Sequence, residues 1–369
     1  TSGIISRPQD EPLGHFSRIG GDEFTLILPN FADKKYIATV AEKIISIFNE
    51  PFQVAGREIF MSTSIGIALY PDNGDTVETL LKNADTAMYR AKEVGKNTFE
   101  YYSSAMNSKA KVRIKLENDM RRAIDNQEFL LYYQPQYDID TGQLVGMESL
   151  IRWKNEKMEL VSPGEFIPLA EETGMIVPIG DWVIQSACRQ GTIWKDQGYG
   201  NLHLGVNLSP RQFFDPHVVE KVQSALDSTG FDPHFLEIEI TETAMVQDND
   251  KTVQILNALK GMGVNISLDD FGTGYSSLSH LKMAHIDTLK IDQTFILNAN
   301  LEGRDGAIIS SIIDMGRRLK IKVIAEGVET EESLAYLKNK NCHVAQGYLF
   351  SPPLPVDEFQ KLLEERESV

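Results

Sequence analysis

The sequence predicts an α/β protein: a TIM-type (β/α)8 barrel with one antiparallel strand, preceded by a smaller α+β segment. Three observations carry this prediction. In the second part of the chain, eight short apolar runs alternate with stretches of helical period. The first two runs are joined by too few residues for a parallel crossover. Acids and amides recur near the ends of the later runs, which in such a barrel meet on one face.

A length of 369 residues suits two domains, and 42% hydrophobic residues suffice for real cores. The net charge of −17 argues against non-specific nucleic-acid binding, so no DNA partner is expected. No apolar run approaches the length of a membrane span, and no signal peptide is visible. The chain begins at Thr1 rather than Met and reads as a fragment, so any upstream sensor or membrane anchor would lie outside it. Cys188 and Cys342 stand alone, with no CxxC and no Cys/His cluster. That usage fits a reducing, cytoplasmic location and argues against zinc.

The first segment opens on "FSRIGGDEFTLILPN", residues 16–30: a strand, a Gly-Gly turn with two acids, and a second strand. Adjacent glycines permit the positive φ of a tight turn and let a ligand approach the backbone. An acidic surface turn is the plain alternative. "DKKYIATVAEKIISIFNEPF" has helical period, "REIFMSTSIGIALYP" is β-rich, and "TVETLLKNADTAMYRAKEVGKNTFEYY" reads as a helix stopped by Gly95 and then a strand. The order is β-β-α-β-α-β. "NSKAKVRIKLENDMRRAIDNQ" forms a charged helix over about 107–127. The expected domains are therefore 1–103, a linker helix within 104–127, and a barrel over 128–369.

The eight barrel strands are "FLLYYQPQYD", "LVGMESLIRW", "LHLGVNLS", "FLEIEITE", "VNISLDDF", "TLKID", "KVIAEG" and "HVAQGY". Helices are expected at about 179–198, 216–229, 251–261, 304–320 and 330–340. Only "IDTGQ" and its neighbours separate the first two strands, so these should be antiparallel.

The later strand ends carry Glu148, Asn207, Glu239 with Glu242, Asp269 with Asp270, Lys290, Glu326 and Gln346. Any one of these acids fits a loop or a helix cap, and Lys290 alone fits a rim salt bridge. So many acids on one face would repel one another unless cations sat among them. Oxygen donors without Cys or His suit Mg²⁺ or Mn²⁺. Such a site can bind a phosphodiester and activate a water against it. Asp269 and Asp270, as neighbours on a strand, point to opposite faces. Both reach one site only if the strand turns into a loop there, and "DDFGTGYSS" offers one.

"RIGGDEF", "STSIGIALYP" and "NADTAMYRAKEVGKN", over about residues 16–103, resemble the C-terminal part of a GGDEF domain, the diguanylate cyclase family. The resemblance implies that Gly20 and Gly21 approach GTP phosphates, that Asp22, beside Glu23, holds a metal, and that Lys92 and Lys96 neutralise phosphate. Few residues precede the motif, and none resembles the family's other metal carboxylate or its guanine-reading segment, so no cyclase activity is expected. The family's inhibitory RxxD register holds "EPLG" here; an RxxD at Arg7–Asp10 lies four residues too early.

"YYQPQYD", "ESLIRW", "NLSPRQF", "EITET", "DDFGTGYSSL", "LKID", "AEGVET" and "AQGYLFSPPLP", over about 112–365, resemble an EAL domain, the cyclic di-GMP phosphodiesterases. The name-giving tripeptide is Glu148-Ser149-Leu150 here. The resemblance implies two ions: Glu148, Asn207, Glu239 and Asp269 on one, with Asp269 shared to a second beside Asp270. It gives Lys290 and Glu326 to the attacking water, Glu242 to anchoring the "DDFGTGYSS" loop, and Gln346 to the metal-water end. Gln134 and Arg152 would contact the dinucleotide. The expected activity is hydrolysis of cyclic di-GMP to linear pGpG, with pairing of two chains through the barrel near that loop. A non-catalytic cyclic di-GMP receptor is the alternative, though such a receptor is expected to lack a metal ligand or the lysine.

Overall fold

The strands form where apolar and polar residues alternate, because successive side chains face opposite sides of a sheet. A computed structural model describes residues 3–6, 12–29, 31, 33–54, 57–200, 202–246, 249–272, 285–297 and 303–367. The chain divides into two units, Thr1–Lys115 and Leu116–Val369.

In the first unit β1 (Gly3–Ser6), β2 (Pro12–Gly20) and β3 (Glu23–Ile27) form an antiparallel sheet. The β2–β3 turn is made by Gly21, at φ +54°, and Asp22, with Gly20 opposite Glu23. Arg18 ties the turn by donating from Nε to the Gly21 carbonyl at 2.8 Å. Helix α1 (Lys34–Ile47) follows, capped by the Asp33 side chain, which accepts from Tyr36 N. The expected long β-rich run divides instead into β5 (Arg57–Ile59), which pairs with β4 (Phe52–Val54), and β6 (Ile65–Ile67). The sequence reading did not separate this hairpin or β1. Helix α2 (Val77–Glu93) packs on β6, and β6 runs parallel to β7 (Phe99–Tyr101). Gly66 permits that packing, because a Cβ there would lie 1.9 Å from the Ala84 carbonyl oxygen. Ile37, Ala41, Ile67 and Leu69 form this unit's buried core. Helix α3 spans Ser104–Ala123, and Gln127 beyond it takes φ +58°. It starts and ends earlier than the expected 107–127. The RxxD at Arg7–Asp10 lies outside the described residues.

In the second unit β8 (Phe129–Asp138) and β9 (Leu144–Lys154) are antiparallel, as their short link requires. Asp138 Oδ1 accepts from Thr141 N at 2.7 Å, and Gly142 takes φ +67°, so the turn closes on itself. Then come β11 (His203–Leu208), β12 (Leu236–Thr241), β13 (Asn265–Phe271), β14 (Thr288–Ile291), β15 (Lys322–Ala325) and β16 (Val344–Ala345). The sheet order is β9-β11-β12-β13-β14-β15-β16-β8, and the β8–β9 pairing closes it into a barrel. β8 is the reversed strand, antiparallel to β16 as well as β9. β10 (Leu160–Val161) and β17 (Leu354–Pro355) attach to β9 and β8.

Leu236, Ile238 and Ile240 on β12, like Leu204, Val206 and Leu208 on β11, enter the apolar core. The alternate residues, Glu237, Glu239, Gly205 and Asn207, face the other way. Helices at Ile176–Trp194, Val218–Thr229, Asn249–Gly261, Arg304–Leu319 and Glu331–Asn339 match the expected stretches. The helix Pro163–Thr173 was not expected. Pro163, Gly164 and Pro168 read as breakers, but Pro163 sits in its first turn and Gly174 ends it at φ +81°. Among the described residues no helix is long and apolar enough to cross a membrane.

Candidate active site

Inward-facing side chains at the C-terminal ends of the parallel strands converge on one lysine. Lys290, on β14, is fully buried. Its Nζ lies 2.6 Å from Glu239 Oε2, 2.7 Å from Glu326 Oε1, 3.2 Å from Glu148 Oε2 and 3.4 Å from Asp269 Oδ1. Burial alone would lower its pKa, but Asp269, Glu148, Glu239 and Glu326 hold it well above the ordinary range.

One ammonium does not neutralise four carboxylates, and the acids respond differently. Burial, reinforced by the Glu148 charge, pushes Glu239 well up. Burial raises Glu326 to about 8, with Lys290 opposing. Burial would raise Glu148 too, but Lys290, Gln346 and Asn207 hold it below the usual range. Asn207 Nδ2 donates to Glu148 Oε1 at 2.6 Å, and Gln346 Nε2 donates to Glu148 Oε2 at 2.7 Å.

Asp269 and Asp270 diverge. The β13–β14 register shifts between Leu268 and Phe271, and Asp270 takes φ +55°. This irregularity aims Asp269 at Lys290 while Asp270 meets Asp292. Burial, then Asp269 and Asp292, raises Asp270 to about 6. Glu242, buried at a helix start, accepts from Gly272 N at 3.4 Å. The rest of "DDFGTGYSS", and with it the expected pairing surface, lies outside the described residues.

Gln134 is buried; its Oε1 accepts from Gln346 Nε2 at 2.9 Å and its Nε2 donates to the Ser351 carbonyl at 3.2 Å. Arg152 lies over the Tyr132 ring at 5.2 Å, and its Nη1 donates to the Ile151 carbonyl. Thus side-chain contacts link Glu148, Asn207, Glu239, Asp269, Lys290, Glu326, Gln346 and Gln134, and Asp270 N donates to Asp269 Oδ1 at 3.0 Å. In the other unit Asp22, Glu23, Lys92 and Lys96 are all exposed. Among the described residues no hydrogen bond or ion pair joins the turn to either lysine.

Sequence reasoning missed two residues. Asp292, buried, ends the "LKID" run two residues after Lys290 and could have been found by that spacing. Gln136, also buried, donates from Nε2 to Gln346 Oε1 at 2.9 Å. Nothing in its local sequence marks it.

The donor set fits a hard divalent cation, because every candidate ligand is an oxygen. Glu239 Oε1 is buried without a protein hydrogen-bond partner. It lies over Gly205, where a Cβ would approach to 2.2 Å. Among the described residues no three His, Cys, Asp or Glu side chains form a ready metal cage. The ammonium of Lys290 takes the point where the carboxylates converge.

Residues 117–353 match the model of the EAL domain, and residues 11–98 match that of the diguanylate cyclase, GGDEF domain. The chain is 42% identical over 342 residues to the bifunctional diguanylate cyclase/cyclic di-GMP phosphodiesterase MucR of Pseudomonas aeruginosa, covering 93% of this chain and 50% of MucR. It is 34% identical over 345 residues to the cyclic di-GMP phosphodiesterase PdeR of Escherichia coli, covering 94% of this chain and 52% of PdeR. The chain thus spans about half the length of the curated relatives it matches. A solved structure, the PaMucR phosphodiesterase in its c-di-GMP complex, aligns with a TM-score of 0.64 at 42% identity, over 66% of this chain and 99% of that one. The EAL enzyme Bd1971, bound to cAMP and cyclic di-GMP, aligns with a TM-score of 0.67 at 32% identity, over 79% of this chain and 77% of that one.

Proposed function

This chain belongs to the EAL domain family, with a GGDEF segment ahead of the barrel, and from that membership we propose that the barrel hydrolyses cyclic di-GMP to linear pGpG. The observation that carries the proposal is the buried Lys290 with four carboxylates within 3.4 Å, at the strand ends where the family's motifs lie. Relatives named as cyclic di-GMP phosphodiesterases support the substrate.

Glu148, Asn207, Glu239 and Asp269 would hold a divalent cation, and Asp270 would join Asp269 at a second. Bound there, Mg²⁺ or Mn²⁺ would supply Lewis-acid activation of water and neutralise phosphodiester charge. The remaining chemistry belongs to the chain's own groups. Arg152 and Gln134 orient the dinucleotide, Arg152 through phosphate. Lys290 Nζ keeps a positive charge beside the reacting phosphorus. Glu326 Oε1, 2.7 Å from that ammonium, receives the proton of the attacking water. The water oxygen bonds to phosphorus, the bond to the 3′ oxygen breaks, the 3′ oxygen takes a proton from solvent, and Glu326 returns its proton to solvent. Glu242 steadies the start of the loop after β13 through Gly272 N.

Incubation with cyclic di-GMP and Mg²⁺ or Mn²⁺, with pGpG followed by chromatography, tests the proposal. Turnover is expected, and EDTA should abolish it. Binding without pGpG would make the barrel a receptor. Full activity in excess chelator would remove the metal from the mechanism.

A further inference from the structure

Gln136, which the motif set leaves without a role, is two residues after Gln134 on β8 and is 2% exposed. Resting on the reading above, we propose that Gln136 is a positioning residue that sets the amide orientation of Gln346 and thereby the orientation of the candidate metal ligand Glu148.

Asn207 Nδ2 and Lys290 Nζ already donate to Glu148, whose carboxyl group is held as an acceptor. Gln346, 2.7 Å away, must therefore turn its NH₂ toward Glu148 Oε2. The same NH₂ donates to Gln134 Oε1 at 2.9 Å. The Gln346 Oε1 then faces the other way and needs a donor, which Gln136 Nε2 supplies at 2.9 Å. All four side chains are buried, so water does not readily substitute for a lost partner. Without a donor at 136, the buried Gln346 oxygen is left unpaired, which weakens the hold on that amide orientation. A flipped amide would place oxygen against the Glu148 carboxylate.

The backbone prepares this contact. Gln136 pairs with Gly146 across β8–β9, just as Gln134 pairs with Glu148. A Cβ at Gly146 would lie 2.9 Å from Gln136 Oε1, so the missing side chain makes room for the Gln136 amide.

The test compares three substitutions in the full chain. Gln136→Glu keeps shape but replaces the donor with an acceptor, Gln136→Leu removes both, and Gln136→Lys keeps a donor. Mn²⁺ affinity is measured by calorimetry without substrate, and kcat and KM for cyclic di-GMP are measured separately. Thermal melts confirm folding, and if Gln136→Leu fails to fold, the near-isosteric Gln136→Glu decides. Outer contacts of this kind are worth about 10–100-fold in metal affinity or activity. The expected result is that loss for the Glu and Leu variants, falling on Mn²⁺ affinity and kcat more than on KM, with Lys close to wild type. Unchanged Mn²⁺ affinity in the Glu variant would overturn the proposal, as would equal losses in Leu and Lys, which would indicate packing rather than a donor. Wild type that binds Mn²⁺ but cuts no cyclic di-GMP would sink the hydrolase reading while leaving the positioning result intact.

Discussion

Lys290→Met removes the cation that, among the described residues, meets the buried carboxylate cluster, while keeping most of the side-chain volume. The four oxygens lie between 2.6 and 3.4 Å from Nζ. At an effective dielectric of about 20, each contact amounts to roughly 5–6 kcal/mol of gross attraction. Desolvation of the ammonium and repulsion among the acids cancel most of that. Removing one partner from such a buried pairing typically costs about 3–5 kcal/mol. For a domain of this size, that lowers Tm by roughly 6–20 °C. The acids can relieve part of the cost by binding protons. In the wild type Glu326 already titrates at about 8, raised by burial and held down by Lys290. Unfolded carboxylates titrate near about 4. Between those values the folded state binds the extra proton, so its contribution falls as pH rises through the folded pKa. Losing Lys290 deepens that fall, so the variant should lose most stability at alkaline pH and least at acidic pH. The assay is thermal unfolding of EDTA-treated protein across that range, repeated with Mn²⁺, which should restore much of the loss by supplying the missing charge. A metal-free variant that melts with the wild type at alkaline pH would refute the claim that Lys290 neutralises this cluster.

Three further outcomes are expected. Glu148→Ala takes the acceptor from Lys290, Asn207 and Gln346, so turnover of cyclic di-GMP should fall on the order of a hundredfold or more, with weaker Mn²⁺ binding by calorimetry; near-normal turnover would take Glu148 out of the site. Burial pushes the thiols of Cys188 and Cys342 up to about 12, so neither should react with a disulfide reagent in native protein at mildly alkaline pH, and both should react after denaturation. With GTP and Mg²⁺ the chain should form no cyclic di-GMP by chromatography and keep its phosphodiesterase rate; product, or a several-fold rate change, would show a working nucleotide site at the Gly20–Glu23 turn.

The sequence alone determined the barrel, because period-two apolar runs and helical stretches are local patterns. The reversed strand was legible for the same reason, since a link as short as residues 139–143 admits only an antiparallel partner. Candidate acids were legible because strand ends in a closed barrel must share a face. The helix Pro163–Thr173 was not, because its prolines and glycine look like breakers until their positions in the helix are known. β5 and β6 were hidden inside one β-rich run whose break at 60–64 has no strong turn residue. Tertiary structure decided which side chains touch. Lys290 meets four carboxylates from four other strand ends, the Asp270 side chain meets Asp292 at a register shift, and Gln136 reaches Gln346 across 210 residues of sequence. Those contacts depend on barrel closure, on strand register and on the space left by Gly146 and Gly205, and a linear pattern contains none of these quantities.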